Sequence, residues 1–467
     1  MNSDIAFMGA VDLGKLIAKR KLSSVEATRA MLERIAQLDP KLKSYVAVLE
    51  ASALKDARRA DKEIKARKKR GPLHGVPVAV KDLCNMIGVA TTAGIPMFRK
   101  SIADHDATVV RKLRDAGAVV LGKLHLTEGA LAEHHPDVAP PINPWSASRW
   151  SGASSSGTGV SVAAGLAYGA LGSDTGGSIR FPASCNGIVG LKPTWARVSR
   201  YGVFPLSQTL DHVGPLTRSV EDAAAMLAAI AGRDVKDPTS ASLPVPDYLS
   251  TINRGVKGIR IGIDRKYAFG GVDAEIKKGI ERALRALKAA GAIIVPFKMP
   301  PLEAALAAWV PLCTADAATG HAASYPSKKS GYSDTFGGFL DMGHAVSGLD
   351  YATAEITRRE FRGQMESIFT SIDLMIKPVY QRINPTVKSF LAMCAKEGGL
   401  DDLIAFTAPD DIAGVPTITL PAGLDKNGSP LSFQLVGRHF EEALLFRAGR
   451  VWQNASDWRD LRPPLAK

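Results

Sequence analysis

The chain has 467 residues, 46% of them hydrophobic and 22% charged, which excludes a disordered or collagen-like protein. The net charge of +13 suggests a polyanionic partner, but the densest basic run, residues 65–70, lacks aromatic residues and ends a helix-like segment. We therefore interpret the run as a solvated helix end and expect no nucleic-acid partner. The four cysteines are scattered without metal-ligand spacing, which favours a reducing compartment and no structural metal.

The sequence does not indicate a membrane-spanning segment, because no stretch of 18 apolar residues occurs. The first residues also lack the basic and apolar regions of a signal peptide. We therefore expect a cytoplasmic protein without a membrane partner.

The first predicted elements alternate between helix and strand. Residues 23–39 predict an amphipathic helix that begins with a capping box from Ser23 to Glu26 and ends at Pro40. Residues 76–80 predict a buried strand. Asp106 is predicted to cap a helix that extends to Ala116, and a further strand begins at residue 118.

A second strand–helix–strand unit is predicted from Ile259 to Pro296, with Asp273 at the start of its helix. Residues 304–372 read as mainly helical, and two strands are predicted near the C-terminus, over residues 414–423 and 431–437. Alternating strands and helices indicate an α/β protein with a largely parallel sheet. The loop at residues 268–272 lacks the spacing of a dinucleotide-binding turn.

The segment 152–183 holds two clusters of glycine and serine, separated by a helix-like stretch of small residues. Such turns can present hydroxyl groups and bare backbone N–H groups at one point. A nucleophile beside oxyanion-stabilising donors is what acyl transfer requires. The segment matches neither a phosphate-binding loop nor the GxSxG turn of α/β-hydrolases.

A serine nucleophile needs a base, and two residue types are available. His134 and His135 are interpreted as loop histidines or pocket walls, and His212 as a structural hydrogen-bonding residue. Lys81 ends the strand predicted at residues 76–80, where it either extends to solvent or lies in a pocket. Burial among hydroxyl groups would favour its neutral amine, because desolvation penalises the ammonium ion.

At this point the residues resemble a known family. The segment 152–183 is similar over its whole length to the amidase signature, and residues 71–82 resemble the lysine strand of that family. Residues 190–224, 414–423 and 433–438 resemble its later segments. The resemblance extends from about Ser23 to Trp452. It implies the amidase signature fold: α/β, with a large mixed, mostly parallel central sheet covered by helices on both faces.

The resemblance also implies residue roles. Ser178 matches the nucleophile, Ser154 the bridging serine that follows a cis peptide bond, and Lys81 the terminal base. The backbone N–H groups of residues 175–178 match the oxyanion hole: Thr175, Gly176, Gly177 and Ser178. Hydrogen-bonding support, or a purely structural role, is expected for Ser155, Ser156, Asp174 and Arg180. No cofactor or metal is expected.

We predict a single domain over residues 1–467. Within it we expect N-terminal helices in 1–70, the lysine strand and signature core in 71–220, a helical, lid-like substrate region in 300–372, and C-terminal strands and a helix in 405–455. A homodimer is left open.

The expected partner is a small-molecule amide. Segments 122–140 and 314–338 depart from the pattern of the glutamyl-tRNA amidotransferase A chain, which favours a stand-alone amidase. An apolar or aryl acyl pocket is predicted from two groups of residues: Leu124, Leu126, Ala130 and Leu131, and Tyr332, Phe336 and Phe339. The alternatives are an esterase or carbamate hydrolase using the same triad, and an amidotransferase-type or catalytically silent component of a larger complex.

Overall fold

A computed structural model describes residues 3–396 and 398–466. Eleven strands in this part of the chain form one sheet: β1 Tyr45–Val48, β2 Pro77–Lys81, β3 Val119–Leu124, β4 Gly169–Asp174, β5 Val189–Lys192, β6 His212–Thr217, β7 Arg260–Ile263, β8 Ile293–Pro296, β9 Leu374–Lys377, β10 Thr417–Leu424 and β11 Pro430–Gly437. Their order across the sheet is β1-β3-β2-β4-β6-β5-β10-β11-β9-β7-β8.

The sheet is mixed, as expected, but the expectation that it is mostly parallel is wrong. Of the ten neighbouring strand pairs in the described residues, four are parallel and six antiparallel. The parallel pairs join β2 to β3 and β4, and β7 to β8 and β9. The strands between them run in alternating directions. The described connections from β5 to β6 and from β10 to β11 contain no helix of the kind that crosses over between parallel neighbours.

Helices fill most of the intervening chain. They are α1 Ser3–Ala6, α2 Ala10–Ala18, α3 Ser24–Leu42, α4 Glu50–Lys65, α5 Thr108–Asp115, α6 Ser156–Ala163, α7 Arg180–Asn186, α8 Val220–Ile230, α9 Tyr248–Thr251, α10 Arg265–Phe269, α11 Ala274–Ala289, α12 Glu303–Gly320, α13 Asp334–Ala345, α14 Gly348–Ile368, α15 Val387–Cys394, α16 Gly399–Ile404, α17 Ala408–Ala413 and α18 Glu442–Asn454.

Two apolar clusters cover the two faces of the sheet. Successive side chains of a strand point to opposite faces. In β9, Leu374 and Ile376 belong to one cluster, whereas Met375 lies in the other. The first cluster includes the buried faces of α3, α8, α11 and α18, and the second those of α12, α13 and α14. Helices therefore cover both faces, as expected.

Two helix ends differ from the sequence-based prediction. The capping box from Ser23 to Glu26 is present, but α3 continues through Pro40 to Leu42. Proline removes one N–H from the last turn without preventing it, and the N–H of Lys43 closes that turn on the carbonyl of Asp39 at 2.6 Å.

The other difference is at α5, whose N-cap position is Ala107 rather than Asp106. The Asp106 carboxylate instead accepts a hydrogen bond from the Ile87 N–H at 2.9 Å and pairs with Arg114. Long-range partners have thus replaced the local cap that the sequence pattern suggested.

Candidate active site

Lys81 is the last residue of β2, which lies between β3 and β4 in the sheet. Its side chain is buried, and Nζ lies 2.6 Å from Ser154 Oγ and 2.9 Å from Ser173 Oγ. The strand thus places an amine against two hydroxyl groups. Ser154 is one of the residues expected to act with Lys81, whereas Ser173 was not identified from the sequence.

The surroundings of Lys81 favour its neutral form. Burial lowers the pKa of Lys81 to about 7, although the carboxylates of Asp211 and Asp174 oppose this shift. No carboxylate is bonded to Nζ, whose hydrogen-bond partners among the described residues are both hydroxyl groups. With a pKa of about 7, about half of the amine is neutral at pH 7, and the neutral form can accept a proton, as a general base must.

The two serine clusters meet beside this lysine. The peptide bond between Ala153 and Ser154 is cis, as the resemblance implies. The N–H of Ser155 donates to the carbonyl of Ser178 at 3.3 Å, and the Ser155 hydroxyl donates to the carbonyl of Ser173 at 3.2 Å. Ser154 is completely buried, whereas Ser178 is half-buried and lines a cavity. Ser178 is therefore the serine that a substrate can reach.

The loop between β4 and α7 holds Ser178 and is fixed by the Asp174 carboxylate. That carboxylate accepts hydrogen bonds from the N–H groups of Gly177 at 2.6 Å and Ile179 at 2.9 Å. Gly177 has φ +134°, a conformation that favours glycine. Its N–H donates to Asp174. Of the four N–H groups expected to form the oxyanion hole, this one therefore already has an acceptor.

The carbonyl groups of the same loop are also held. The carbonyl of Thr175 accepts from Trp309 Nε1 at 2.9 Å, and the carbonyl of Gly176 accepts from Thr407 Oγ1 at 2.5 Å. The Thr175 hydroxyl donates to Asp211 at 2.6 Å. With its carbonyls bonded on the far side, the loop has a fixed peptide orientation before any substrate binds.

A buried ion cluster lies behind the loop. Arg180 pairs with Asp174 at 2.9 Å, Asp410 at 2.8 Å and Asp411 at 2.5 Å, and Lys377 pairs with Asp410 at 2.8 Å. All of these side chains are fully buried. Burial alone would raise the pKa of Asp174, but Arg180 holds it below its ordinary value.

The support expected from Asp174 and Arg180 is therefore extended by three residues that the sequence reasoning missed: Lys377, Asp410 and Asp411. Nothing local marks them, since they come from β9 and α17, which follow the signature segment at a long distance along the chain.

The cavity at Ser178 has a volume of about 40 Å³, room for a few water molecules at about 10–15 Å³ each. Ala130 and Leu131, which the sequence analysis selected, line it, as do the unpredicted Phe181, Leu206 and Trp309. None of its lining residues in the described parts of the chain is charged.

The predicted pocket aromatics Tyr332, Phe336 and Phe339 lie elsewhere. They are buried in the second apolar cluster, where Phe336 and Phe339 stack with ring centres 6.3 Å apart. Phe339 packs behind Trp309, which does reach the cavity. Leu124 and Leu126 are likewise core residues. The expectation that these five residues line the pocket is wrong, because all five are buried in the apolar clusters and none lines the cavity at Ser178.

The histidines occupy positions outside the lysine–serine contacts. His134 Nε2 lies 3.0 Å from Ser156 Oγ, and burial lowers the pKa of His134 to about 3. Both His134 and His135 line a second cavity, as the pocket-wall interpretation expects. His212 is buried, with Nδ1 3.3 Å from the carbonyl of Asp174, which agrees with a structural hydrogen bond.

Within residues 3–396 and 398–466, no three His, Cys, Asp or Glu side chains are arranged to hold a metal ion. In the same part of the chain, no helix combines the length and apolar composition that a bilayer crossing needs.

Comparison with known proteins identifies the family. The sequence profile of the Amidase family matches residues 26–446. The chain is 40% identical over 461 residues to the "Putative amidase AmiD" of Mycobacterium tuberculosis (strain ATCC 25618 / H37Rv), covering 99% of this chain and 97% of that protein. It is 38% identical to the A chain of the glutamyl-tRNA(Gln) amidotransferase of Moorella thermoacetica (strain ATCC 39073 / JCM 9320), covering 99% of each.

Among solved structures, the peptide amidase of Stenotrophomonas maltophilia superposes with a TM-score of 0.83 at 32% identity, covering 98% of both chains. A structure of 6-aminohexanoate cyclic dimer hydrolase superposes with a TM-score of 0.89 at 27% identity, covering 99% of both. The chain belongs to the Amidase family and is an amide-bond hydrolase.

Proposed function

We propose that this protein hydrolyses a carboxylic amide to an acid and an amine or ammonia through an acyl-enzyme on Ser178. The observation that carries the proposal is the 2.6 Å contact between the buried Nζ of Lys81 and the hydroxyl of Ser154, beside the cavity that Ser178 lines. A base with a pKa near 7, a bridging hydroxyl and a reachable hydroxyl are the parts that a serine nucleophile requires.

In the proposed reaction, neutral Lys81 takes the proton of Ser154 while Ser154 takes the proton of Ser178. Ser178 Oγ then bonds to the amide carbonyl carbon and the carbonyl oxygen becomes an oxyanion. Ser173 orients the amine, because its hydroxyl accepts one of the Nζ hydrogens and leaves the lone pair free for Ser154. The relay then returns the proton through Ser154 to the amine nitrogen, the C–N bond breaks, and water hydrolyses the ester.

The oxyanion is assigned to backbone N–H groups in residues 175–178. Because the Gly177 N–H donates to Asp174, the groups of Thr175, Gly176 and Ser178 are the main candidates. Loss of one oxyanion donor commonly reduces kcat by about 100- to 1,000-fold. The bonds that hold the Thr175 and Gly176 carbonyls support this assignment, since fixed peptides need no reorientation during the reaction.

We further propose an apolar or aryl substrate that is cleaved without a partner protein, because the uncharged lining of the cavity suits apolar groups better than it suits glutamine. The amino and carboxylate groups of glutamine would have to be paired or kept in water, because burying an isolated charge is costly. The lining of the cavity, as far as the chain is described, offers no charged side chain for either group. Glutamine hydrolysis is the second candidate function, because the chain is similar to the amidotransferase A chains.

Two measurements test the proposal. A fluorophosphonate probe is expected to label the wild type and to leave Ser178→Ala unlabelled, because only Ser178 is both activated and reachable. Equal labelling of the two proteins would remove Ser178 as the nucleophile. A panel of aryl amides, aliphatic amides and glutamine is expected to show turnover of apolar amides, and a clear preference for glutamine would reverse the substrate assignment.

A further inference from the structure

A second cavity of about 300 Å³ lies between the loop 132–152 and helix α15. Its walls are largely apolar, and the main contributors are Val138, Pro141, Ile142, Trp150, Phe390 and Leu391. Leu391 and Val387, also in the lining, are unusually exposed for large apolar side chains, at 44% and 39%. An apolar cavity with an apolar rim is a typical binding site for a ligand of the same character.

This cavity adjoins the cavity at Ser178. Ala132 lines both of them, and the consecutive residues Gly152 and Ala153 line the second and the first respectively. The aromatic wall is continuous as well. Trp150 in the second cavity lies 5.9 Å from Phe181 in the first, and it stacks on Phe390 at 4.0 Å. The two cavities are therefore neighbours that share Ala132 and meet at the backbone of residues 152–153.

The position of Ser154 decides which end of the amide extends there. In the proposed relay the leaving nitrogen takes its proton from Ser154, so the amine must lie on the side of Ser178 that Ala153 and Ser154 form. The second cavity begins on that side, at Gly152. The first cavity also touches Ala153, but most of its lining comes from other segments, among them Thr175, Leu206 and Trp309, and it offers little volume.

We propose that the second cavity is the subsite for the amine portion of the substrate, and that this portion is a bulky apolar or aromatic amine. The inference rests on the proposed function of Ser178. A cavity of about 150 Å³ is sufficient for benzene, so about 300 Å³ admits an aryl group with a substituent. The substrate class is then an amide with a short acyl group and a larger N-aryl or N-alkyl group.

The polar groups of the cavity fit a neutral amine. Glu133 and Arg149 both line it, and Arg149 donates to the carbonyl of Asn384 at 2.6 Å. His134 is held by Ser156, and burial keeps it uncharged above about pH 3. An arylamine is neutral near pH 7 and needs no counter-ion in this largely apolar cavity.

The test uses substrates that share one acyl group and therefore give the same acyl-enzyme: acetamide, acetanilide and 4-butylacetanilide. Ala147→Trp places a large side chain at the exposed edge of the second cavity without removing any packing. Ala352→Trp on the exposed face of α14 is the matched control. We expect Ala147→Trp to lower the kcat/KM ratio of 4-butylacetanilide to acetamide at least tenfold, and the control to leave that ratio unchanged.

A ratio that does not change in Ala147→Trp would overturn the inference. If Ala147→Trp fails to fold, Leu391→Trp at the rim replaces it, with the same expected result. A series with a fixed aniline and acyl groups of increasing size is the complementary arm. If Ala147→Trp selectively loses activity on the substrates with large acyl groups, the cavity binds the acyl portion instead.

A binding measurement separates this inference from the proposed mechanism. Calorimetry with 4-butylaniline on Ser178→Ala needs no turnover. We expect binding to Ser178→Ala and at least tenfold weaker binding to the Ser178→Ala, Ala147→Trp double variant. Equal affinity of the two, or no binding to the first, would refute the subsite. Amide hydrolysis by Ser178→Ala at the wild-type rate would instead refute the mechanism.

Discussion

Replacing Lys81 with methionine is expected to abolish amide hydrolysis and yet stabilise the fold at neutral pH. A pKa lowered from 10.5 to about 7 by burial corresponds to about 5 kcal/mol of destabilisation, at about 1.36 kcal/mol for each pH unit. Methionine has a similar length and removes this cost. It also removes the hydrogen bonds to Ser154 and Ser173, and their loss cancels about 1–3 kcal/mol of the gain in stability. We expect a net gain of about 2–4 kcal/mol at pH 7.

The sign of the pH dependence follows from proton binding. Between about pH 7 and 10.5 the unfolded wild type holds a proton on Lys81 that the folded protein has lost, so wild-type stability rises with pH across this window. The cost of Lys81 is fully present below about pH 7 and disappears near pH 10.5. The advantage of Lys81→Met must therefore shrink as the pH rises.

Urea unfolding of the wild type and Lys81→Met at pH 7 and at pH 10 measures both quantities. Lys123→Met is the matched control, because Lys123 is an equally buried lysine of the adjacent strand but pairs with Asp82 at 2.6 Å. Removing it leaves a buried carboxylate without its cation, which costs about 3–5 kcal/mol. If Lys81→Met is less stable than the wild type at pH 7, or if its advantage does not change with pH, the desolvation argument is wrong.

Three further predictions concern the pH dependence of the reaction, the buried ion cluster and two glycines in helices. The kcat/KM for an amide is expected to rise with an apparent pKa of about 7, because Lys81 must be neutral to act; a flat profile between pH 5.5 and 9 would contradict this. Asp410→Asn removes the charge that Arg180 and Lys377 share, and denaturant unfolding should show a loss of about 3–5 kcal/mol together with a lower kcat. Gly14→Ala in α2 is expected to destabilise the protein by about 1–3 kcal/mol, because the new Cβ would lie 2.0 Å from the Pro72 carbonyl oxygen. The control Gly363→Ala in α14 has open space around the new Cβ and should stabilise the protein by about 0.5–1 kcal/mol in the same unfolding assay.

The family could be predicted because its signature is one continuous segment, and the catalytic roles that this segment implies stay predictions. The spacing of the glycines and serines from 152 to 183 indicates the family and, with it, Lys81, Ser154 and Ser178. Strands with continuous apolar runs, such as β2 and β3, were also predicted with nearly correct bounds.

What the sequence could not supply depends on packing between distant segments. The directions of β5, β6, β10 and β11 are set by tertiary pairing, which no local pattern encodes, so the sheet was expected to be more parallel than it is. Asp410 and Lys377 carry no local signal for the ion pairs that Asp410 forms with Arg180 and Lys377, because burial of charge is visible only in the fold. Phe336 could not be assigned to core or pocket from its aromatic character alone.

Because Lys81 ends a central strand, the face of the sheet that its side chain reaches depends on the register of β2. Val80 lies opposite Leu171 of β4 in the parallel register, and each residue advances the strand by about 3.3 Å. A shift of β2 by one residue would turn Lys81 to the opposite face of the sheet, where it would meet a different apolar layer rather than Ser154. A shift by two residues would restore the face and displace the amine by about 6.6 Å. Neither shift leaves the amine within reach of the serines, so the base is specified by a backbone hydrogen-bond pattern as much as by its own side chain.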